Sequence, residues 1–267
     1  MVSYVALEGP SQGRGYFNHN GKGVGHDRKA AEAMADGKYT LIVDGVDHDN
    51  PTAVDQTTGP ETLADGTSLF TEVRAGRISI GEAPAGGTDG EALRLETDSN
   101  NGRLRFTDLF DTDNQIQLGD LDQLNFNYYI DSSDRTDVIP VIRLAIDADG
   151  DLSTTNDRGE LVFEYAYQGL GATTQDSWQH VDLVADDWVA WQRSFGVNRD
   201  FGDGFATLSD WSDADGYTPT GGLTFDEDSV VLSWSLAYGS GNGTGVMYVD
   251  DLQVGGVTYD FGRDSFF

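Results

Sequence analysis

Asp147-Ala148-Asp149-Gly150-Asp151 is the densest group of hard oxygen ligands in this sequence. Aspartates alternating at a strand end can converge three carboxylates on Ca²⁺, and Asp157 follows closely enough to assist. An EF-hand loop opening at Asp147 would need glycine sixth and glutamate twelfth. Leu152 and Arg158 stand there instead, so the loop is of another kind. The candidate ligand set for a structural Ca²⁺ is Asp147, Asp149 and Asp151; a solvated surface turn is the favoured reading.

Aromatic residues offer a second chemistry, because Trp and Tyr rings stack on the apolar faces of pyranose sugars. DDWVAWQRSFG (Asp186–Gly196) reads as a connection carrying Trp188 and Trp191 between Asp187 and Arg193. Trp211 and Tyr217 fall in the next connection. These four are the expected ligand-binding residues, as exposed stacking platforms; the alternative is that they plug the end of the domain. Trp234 alternates with Leu232 and Leu236 and is expected in the core.

Catalytic patterns are sparse. Asp250 and Asp251 are adjacent on an apolar strand, and strand periodicity sends them to opposite faces. Glycoside hydrolysis would need a second carboxylate about 5–9.5 Å away. No E-x-D-x-x-E strand pattern, G-x-S-x-G elbow, H-E-x-x-H pair or phosphate-binding loop occurs. His19, His26 and His48 lie in the first 58 residues, leaving His180 alone in the remainder. The sequence therefore predicts no enzyme. Asn242-Gly243-Thr244 is a glycosylation sequon in a glycine-rich loop, with Asn242 the acceptor.

The elements that must hold these groups are strands. From about Gly59 onward, short apolar segments separated by Gly, Asp and Ser turns predict strands at Leu69–Val73, Ala92–Glu96, Arg103–Thr107, Leu124–Ile130, Val138–Ile146, Leu161–Tyr167, Trp178–Val184, Val230–Tyr238, Val246–Val254 and Val257–Phe261. Leu124, Phe126, Tyr128 and Ile130 alternate with Asn125 and Asn127; Val230, Leu232, Trp234, Leu236 and Tyr238 alternate with Ser233 and Ser235. Such alternation belongs to half-buried strands in stacked sheets. The fold class is thus all-β, an antiparallel jelly-roll β-sandwich over residues 59–267. TLSDWSDADGY (Thr207–Tyr217) predicts a single helical turn, and Gly255-Gly256 a tight hairpin turn. Residues 1–58 differ: a glycine-rich stretch (Gly9–His26), a helix expected at Asp27–Gly37 and a strand at Tyr39–Val43 make a small arm or subdomain suited to docking.

Charge narrows the setting. The 267 residues carry a formal net charge of −30, with 36 Asp and 10 Glu against 13 Arg and 3 Lys. All three lysines, Lys22, Lys29 and Lys38, lie near the start. Such self-repulsion opposes compaction in dilute salt, whereas in molar salt the Debye length falls to about 3 Å. The Asp-rich, Lys-poor composition resembles that of halophilic proteins, above all haloarchaeal ones. No basic patch exists to meet phosphates, so nucleic acid is excluded as a partner. There is no cysteine, no stretch of 18 apolar residues for membrane insertion, and no charged n-region followed by an apolar core at the start. Either no secretion signal is used or one has been removed.

The succession DLDQLNFNYYIDSS, VIPVIRLAIDADGD, LVFEYAY, DSWQHVDL, TLSDW and GSGNGTGVMYVDDLQVGGVTYDF resembles the jelly-roll, carbohydrate-binding-module-like β-sandwich of haloarchaeal and other microbial surface proteins. It spans roughly residues 90–262, and its most specific parts are Trp178-Gln179, Tyr248–Asp251 and Tyr259-Asp260-Phe261. The resemblance implies the fold and, as in many jelly rolls, a structural Ca²⁺; the ligand stays open because jelly rolls host many functions. The favoured expectation is a non-enzymatic surface component of a haloarchaeal virion (turret, spike, fibre or decoration) whose jelly roll contacts host glycans. Residues 1–58 would bind other copies or other assembly proteins, and the location would be a virion surface or a cell exterior. The alternative is a carbohydrate-binding or adhesion module of a cell-surface protein or filament. A glycoside hydrolase or lyase comes third.

Overall fold

Leu124, Phe126, Tyr128 and Ile130 are buried, and Asn125, Asn127 and Tyr129 between them are half-buried, as the alternation requires. The computed structural model of the chain describes residues 4–8, 15–18, 40–44, 56–62, 68–88, 90–100, 102–109, 115–151, 153–154, 156–194, 204–239, 241, 243–259 and 261. The helix expected at Asp27–Gly37 and the sequon residue Asn242 lie outside the described residues.

Among the described residues, eighteen strands, numbered in chain order, form two nine-stranded antiparallel sheets. The first runs β13 (Trp178–Asp182), β10 (Leu124–Ser133), β17 (Gly245–Val254), β7 (Glu91–Thr97), β6 (Gly76–Glu82), β3 (Thr40–Asp44), β1 (Tyr4–Glu8), β2 (Gly15–Asn18), with β18 (Val257–Tyr259) also on β17. The second runs β15 (Phe205–Thr207), β14 (Val189–Ser194), β12 (Arg158–Phe163), β11 (Val141–Asp147), β16 (Val230–Gly239), β8 (Arg103–Leu109), β5 (Ser68–Arg74), β4 (Gln56–Thr62), with β9 (Ile116–Gln117) on β16. This is the jelly-roll sandwich expected from the alternation. Three strands from residues 1–58 extend the first sheet, joined through the pairing of β3 with β6. Among the described residues no helix is long and apolar enough to cross a membrane.

The core lies between the sheets. Phe106 and Trp234 of the second sheet pack against the chain's end, where Phe261 meets Phe106 edge-on at 5.9 Å and Tyr259 meets Trp234 at 4.8 Å. Full burial of each such ring is worth about 1.5–3 kcal/mol. The expected helical turn is α1 (Leu208–Trp211), opened by a capping box in which Thr207 and Asp210 satisfy each other's backbone N–H groups. It drives Trp211 into the core with no exposure, its Nε1 donating to Ala206 O at 3.1 Å.

Two readings of the sequence are corrected. In β16 the register slips between Ala145↔Ser233 and Ile146↔Val231, leaving Leu232 unpaired. The phase therefore flips: Val231, not Val230, shares the core with Trp234, Leu236 and Tyr238. The segment Val189–Ser194, taken as a connection, is strand β14, which pairs with β12 and β15.

Candidate functional site

The ladder of the first sheet aligns a row of outward side chains. Trp178 on β13 stands opposite Tyr129 on β10, and Tyr129 opposite Tyr248 on β17. Tyr248 in turn faces Arg94 on β7, and Arg94 faces Ser79 on β6. All five are half-buried. The Tyr129 ring lies 5.7 Å from Trp178 at an interplanar angle of 56°, and 6.2 Å from Tyr248 at 80°. With strands about 4.8 Å apart, the three rings span roughly 10 Å across the sheet. Trp178 is fixed at its edge by Nε1 donating to Pro84 O at 3.1 Å. Arg94 pairs with Glu96 and bonds the Tyr248 hydroxyl; burial works against its charge, but those two partners outweigh it and hold its pKa raised. Partial burial, then Asp176, Asp131 and Tyr248, push the Tyr129 phenol above its ordinary range, so it is a neutral O–H donor at pH 7.

Beside this row runs a polar one. Asn127 on β10 faces His180 on β13 and Asp250 on β17. Asn127 Nδ2 donates to Asp251 Oδ2 at 2.7 Å, and Thr88 Oγ1 donates to the same oxygen at 2.5 Å. The remaining Asn127 oxygen can only accept, so His180, 2.9 Å away, presents a protonated Nδ1. Its Nε2 remains to meet a ligand or water.

This arrangement depends on a bulge. The register passes from Asn127↔Asp250 to Asn125↔Gln253, so Asp251 and Leu252 together oppose Phe126. Asp251 takes φ 50°, a left-handed conformation that aspartate tolerates, and its N–H donates to Asp250 Oδ1 at 2.9 Å. The expectation that Asp250 and Asp251 face opposite ways is thereby corrected. The pairing puts Asp250, 1% exposed, on the Asn127 face, and the Asn127 hydrogen bond brings Asp251 there too.

The four aromatic residues expected to stack on ligand lie elsewhere. Trp188 is 4% exposed, packed on Tyr165 in the main core, and Trp211 has no exposure. Trp191 is 3% exposed on the outer side of the second sheet, among Val141, Val162 and Ala237, with Nε1 donating to Glu164 at 2.9 Å. The expectation of exposed platforms at Trp188, Trp191 and Trp211 is corrected: Trp188, just before β14, and Ala190 on it lie in the main core, Trp191 lies in the small outer cluster, and α1 buries Trp211. Tyr217 is half-buried, edge-on to Trp211 at 4.6 Å and bridged to Phe225, a wall of the core.

The acidic hairpin is rearranged too. Asp147, Asp149 and Asp157 each bring a carboxylate oxygen within 4.8 Å of the others. Asp151 does not join them, because its Oδ1 accepts from the Ser153 N–H at 3.0 Å and hydroxyl at 2.6 Å. The candidate set Asp147, Asp149 and Asp151 is corrected to one in which Asp157 takes the third place. The backbone N–H of Asp151 favours ionised Asp149, yet the Asp157 carboxyl and partial burial hold Asp149 above the usual carboxylate range.

No family model matches the chain. No curated protein matches it. Among solved structures, the family 11 carbohydrate-binding module from Clostridium thermocellum, in complex with a β-1,3-1,4-mixed-linked tetrasaccharide, is 11% identical with a TM-score of 0.32, over 80% of this chain and 94% of that one. The family 11 xylanase from Neocallimastix patriciarum is 15% identical with a TM-score of 0.32, over 76% and 94%. At these values neither supplies a residue-by-residue correspondence. The chain's own strands place it among two-sheet antiparallel jelly-roll sandwiches.

Proposed function

We propose that the chain is a glycan-binding domain, acting without bond cleavage through the outer face of its first sheet. The observation that carries this is the half-exposed row Trp178–Tyr129–Tyr248 on three adjacent strands, bordered by Asn127, His180, Arg94 and Thr88. Aromatic faces with hydrogen-bonding side chains at their margins fit a sugar, which is apolar above its C–H groups and polar around its rim. Of the carboxylates on this face, Asp251 accepts from Thr88 and Asn127, Glu96 is paired with Arg94, and Asp250, 1% exposed, accepts from the Asp251 N–H. That supports holding a ligand rather than delivering or withdrawing a proton. Because the surface binds by shape and mainly by uncharged donors, its one guanidinium, Arg94, being already paired with Glu96, it suits molar salt, where charge-based recognition is screened. A cell or particle exterior in a saline habitat is the setting that suits both features. No observation among the described residues favours the virion-assembly role over this reading.

The test is a glycan array and titration calorimetry in molar KCl. Trp178→Ala and Tyr248→Ala are each expected to weaken binding about tenfold, equal to ~1.4 kcal/mol. Tyr167→Ala, a ring 44% exposed and packed on Phe205 of the second sheet, should leave binding intact. Binding that survives both first-sheet substitutions, or no bound glycan at all, refutes the proposal. Release of reducing ends would establish an enzyme instead.

A further inference from the structure

The hairpin between β11 and β12 closes on the pair Asp147↔Arg158, with Ala148 N–H donating to Asp157 O at 3.2 Å. Its chain path gathers Asp147, Asp149 and Asp157 so that their nearest carboxylate oxygens lie within 4.8 Å of one another. Three carboxylates at that range repel, and an acidic cluster on its own would be no more than a crowded turn. A separate observation goes further. Asp147 has no exposure; its Oδ2 accepts from Arg158 Nε at 2.8 Å, and its Oδ1 is buried with no hydrogen-bond partner. Asp157 Oδ1 accepts from Thr154 at 3.0 Å, and the Asp157 carboxyl group lies against that of Asp149. Leaving a buried polar atom unsatisfied costs about 1–3 kcal/mol, more when it is charged. A fully buried carboxylate with one such oxygen, beside two more carboxyl groups crowded together, is poorly explained as a surface turn.

We infer that Asp147, Asp149 and Asp157 form a Ca²⁺ site that locks the β11–β12 hairpin. Three carboxylates less the Arg158 charge leave −2, matched by one divalent cation. The donors are all hard oxygens, which select Ca²⁺ or Mg²⁺ over softer metals. Ca²⁺ tolerates irregular shells with oxygens at about 2.3–2.6 Å, so two ligands across the ion sit up to ~5 Å apart. Mg²⁺ demands a near-ideal octahedron at about 2.0–2.1 Å and keeps its water, which a turn with unequal carboxylate environments serves badly. The site reaches into the fold: Ser229 Oγ donates to Ala148 O at 2.9 Å, tying the loop to the start of β16.

Chelator-treated protein in molar KCl is titrated with CaCl₂ and, separately, MgCl₂, by calorimetry and thermal unfolding. One equivalent of Ca²⁺ is expected to bind and raise the Tm, with Mg²⁺ at least about tenfold weaker. The double variant Asp149→Asn/Asp157→Asn should lose that binding, and Asp151→Asn should retain it. Absence of a Ca²⁺-dependent Tm shift in the wild type overturns the inference, as does binding unchanged in the double variant or lost equally in Asp151→Asn. Mg²⁺ binding as tightly as Ca²⁺ overturns the assignment of the ion. If the double variant does not fold, the wild-type titration and Asp151→Asn decide. Glycan binding is measured apart, so either proposal can fail alone.

Discussion

Replacing Glu160 with glutamine removes a carboxylate shared by three arginines on the outer side of the second sheet. Glu160 Oε1 lies 3.1 Å from Arg105 Nη1, and Oε2 lies 3.4 Å from Arg143 and 3.6 Å from Arg193. The Glu160 side chain is 6% exposed, and those of Arg143 and Arg105 are 13% and 18%. Arg193, at 35%, is screened by water and contributes little. Burial lowers the Arg143 pKa to about 10, with Arg105 adding to the shift, yet it stays charged at pH 7. The glutamine amide would leave two poorly solvated guanidinium groups facing each other. Breaking a buried pair costs about 3–5 kcal/mol, and with partial exposure of Arg105 the lower end applies. For a protein of this size about 3 kcal/mol corresponds to a Tm loss of roughly 6–12 °C. The effect must also depend on pH. Burial alone would raise the Glu160 pKa, but Arg105, Arg143 and Arg193 outweigh it and hold it below the ordinary glutamate value. A depressed carboxylate stabilises the fold above its unfolded pKa, and that stability is lost as pH falls through the folded one. Thermal melts of wild type and Glu160→Gln should therefore differ by the full amount at pH 7 and converge once Glu160 is protonated. A difference under about 1 kcal/mol at neutral pH, or one that persists unchanged in strong acid, would refute the reasoning.

Two further expectations follow from charge and from close packing. With a net charge of −30, raising KCl from about 0.1 to 1 M shortens the screening length from ~10 to ~3 Å, so the Tm should climb steadily in calorimetry; a flat or falling Tm contradicts the halophilic reading. Gly76→Ala should cost at least about 2 kcal/mol in denaturant melts, since its Cβ would stand 2.2 Å from Glu96 O and 3.0 Å from Thr97 Cα, both backbone atoms. Gly81→Ala on the same strand meets nothing within 4 Å and should be near neutral, which makes the pair an internal control.

The fold was legible where periodicity ran unbroken. Leu124 to Ile130 announced both the strand and its buried side, and TLSDWSDADGY announced a helical turn, whose capping box of Thr207 and Asp210 the structure adds. Legibility failed at irregularities. A bulge at Leu232 shifts the phase of β16, and no residue type at that position signals it. Trp188 and Trp191 misled because a segment rich in Asp, Arg and Trp reads as a loop; only its pairing with β12 and β15 shows that one tryptophan faces the core and the other a small outer cluster. The acidic hairpin was found by composition, but the choice of Asp157 over Asp151 turns on whether Ser153 captures a carboxylate, a matter of loop geometry.

The aromatic row was hidden for a different reason. Trp178, Tyr129 and Tyr248 come from three strands, and each looks unremarkable in its own segment; cross-strand register alone makes them neighbours. The alternation that buried Phe126 and Tyr128 already placed Asn127 and Tyr129 on the other face, and a paired search of outward positions would have found half the site. The other half depends on Asp251. In a regular strand the residue after Asp250 would point to the core, where an ionised carboxylate is not tolerated. The left-handed turn at Asp251 costs about 1–3 kcal/mol, and in exchange its carboxylate reaches Asn127 and Thr88. That contact orients the Asn127 amide, and the amide in turn sets the proton on His180. The adjacent aspartates thus act through position, turning a backbone irregularity in β17 into the fixed donor and acceptor pattern beside the aromatic row.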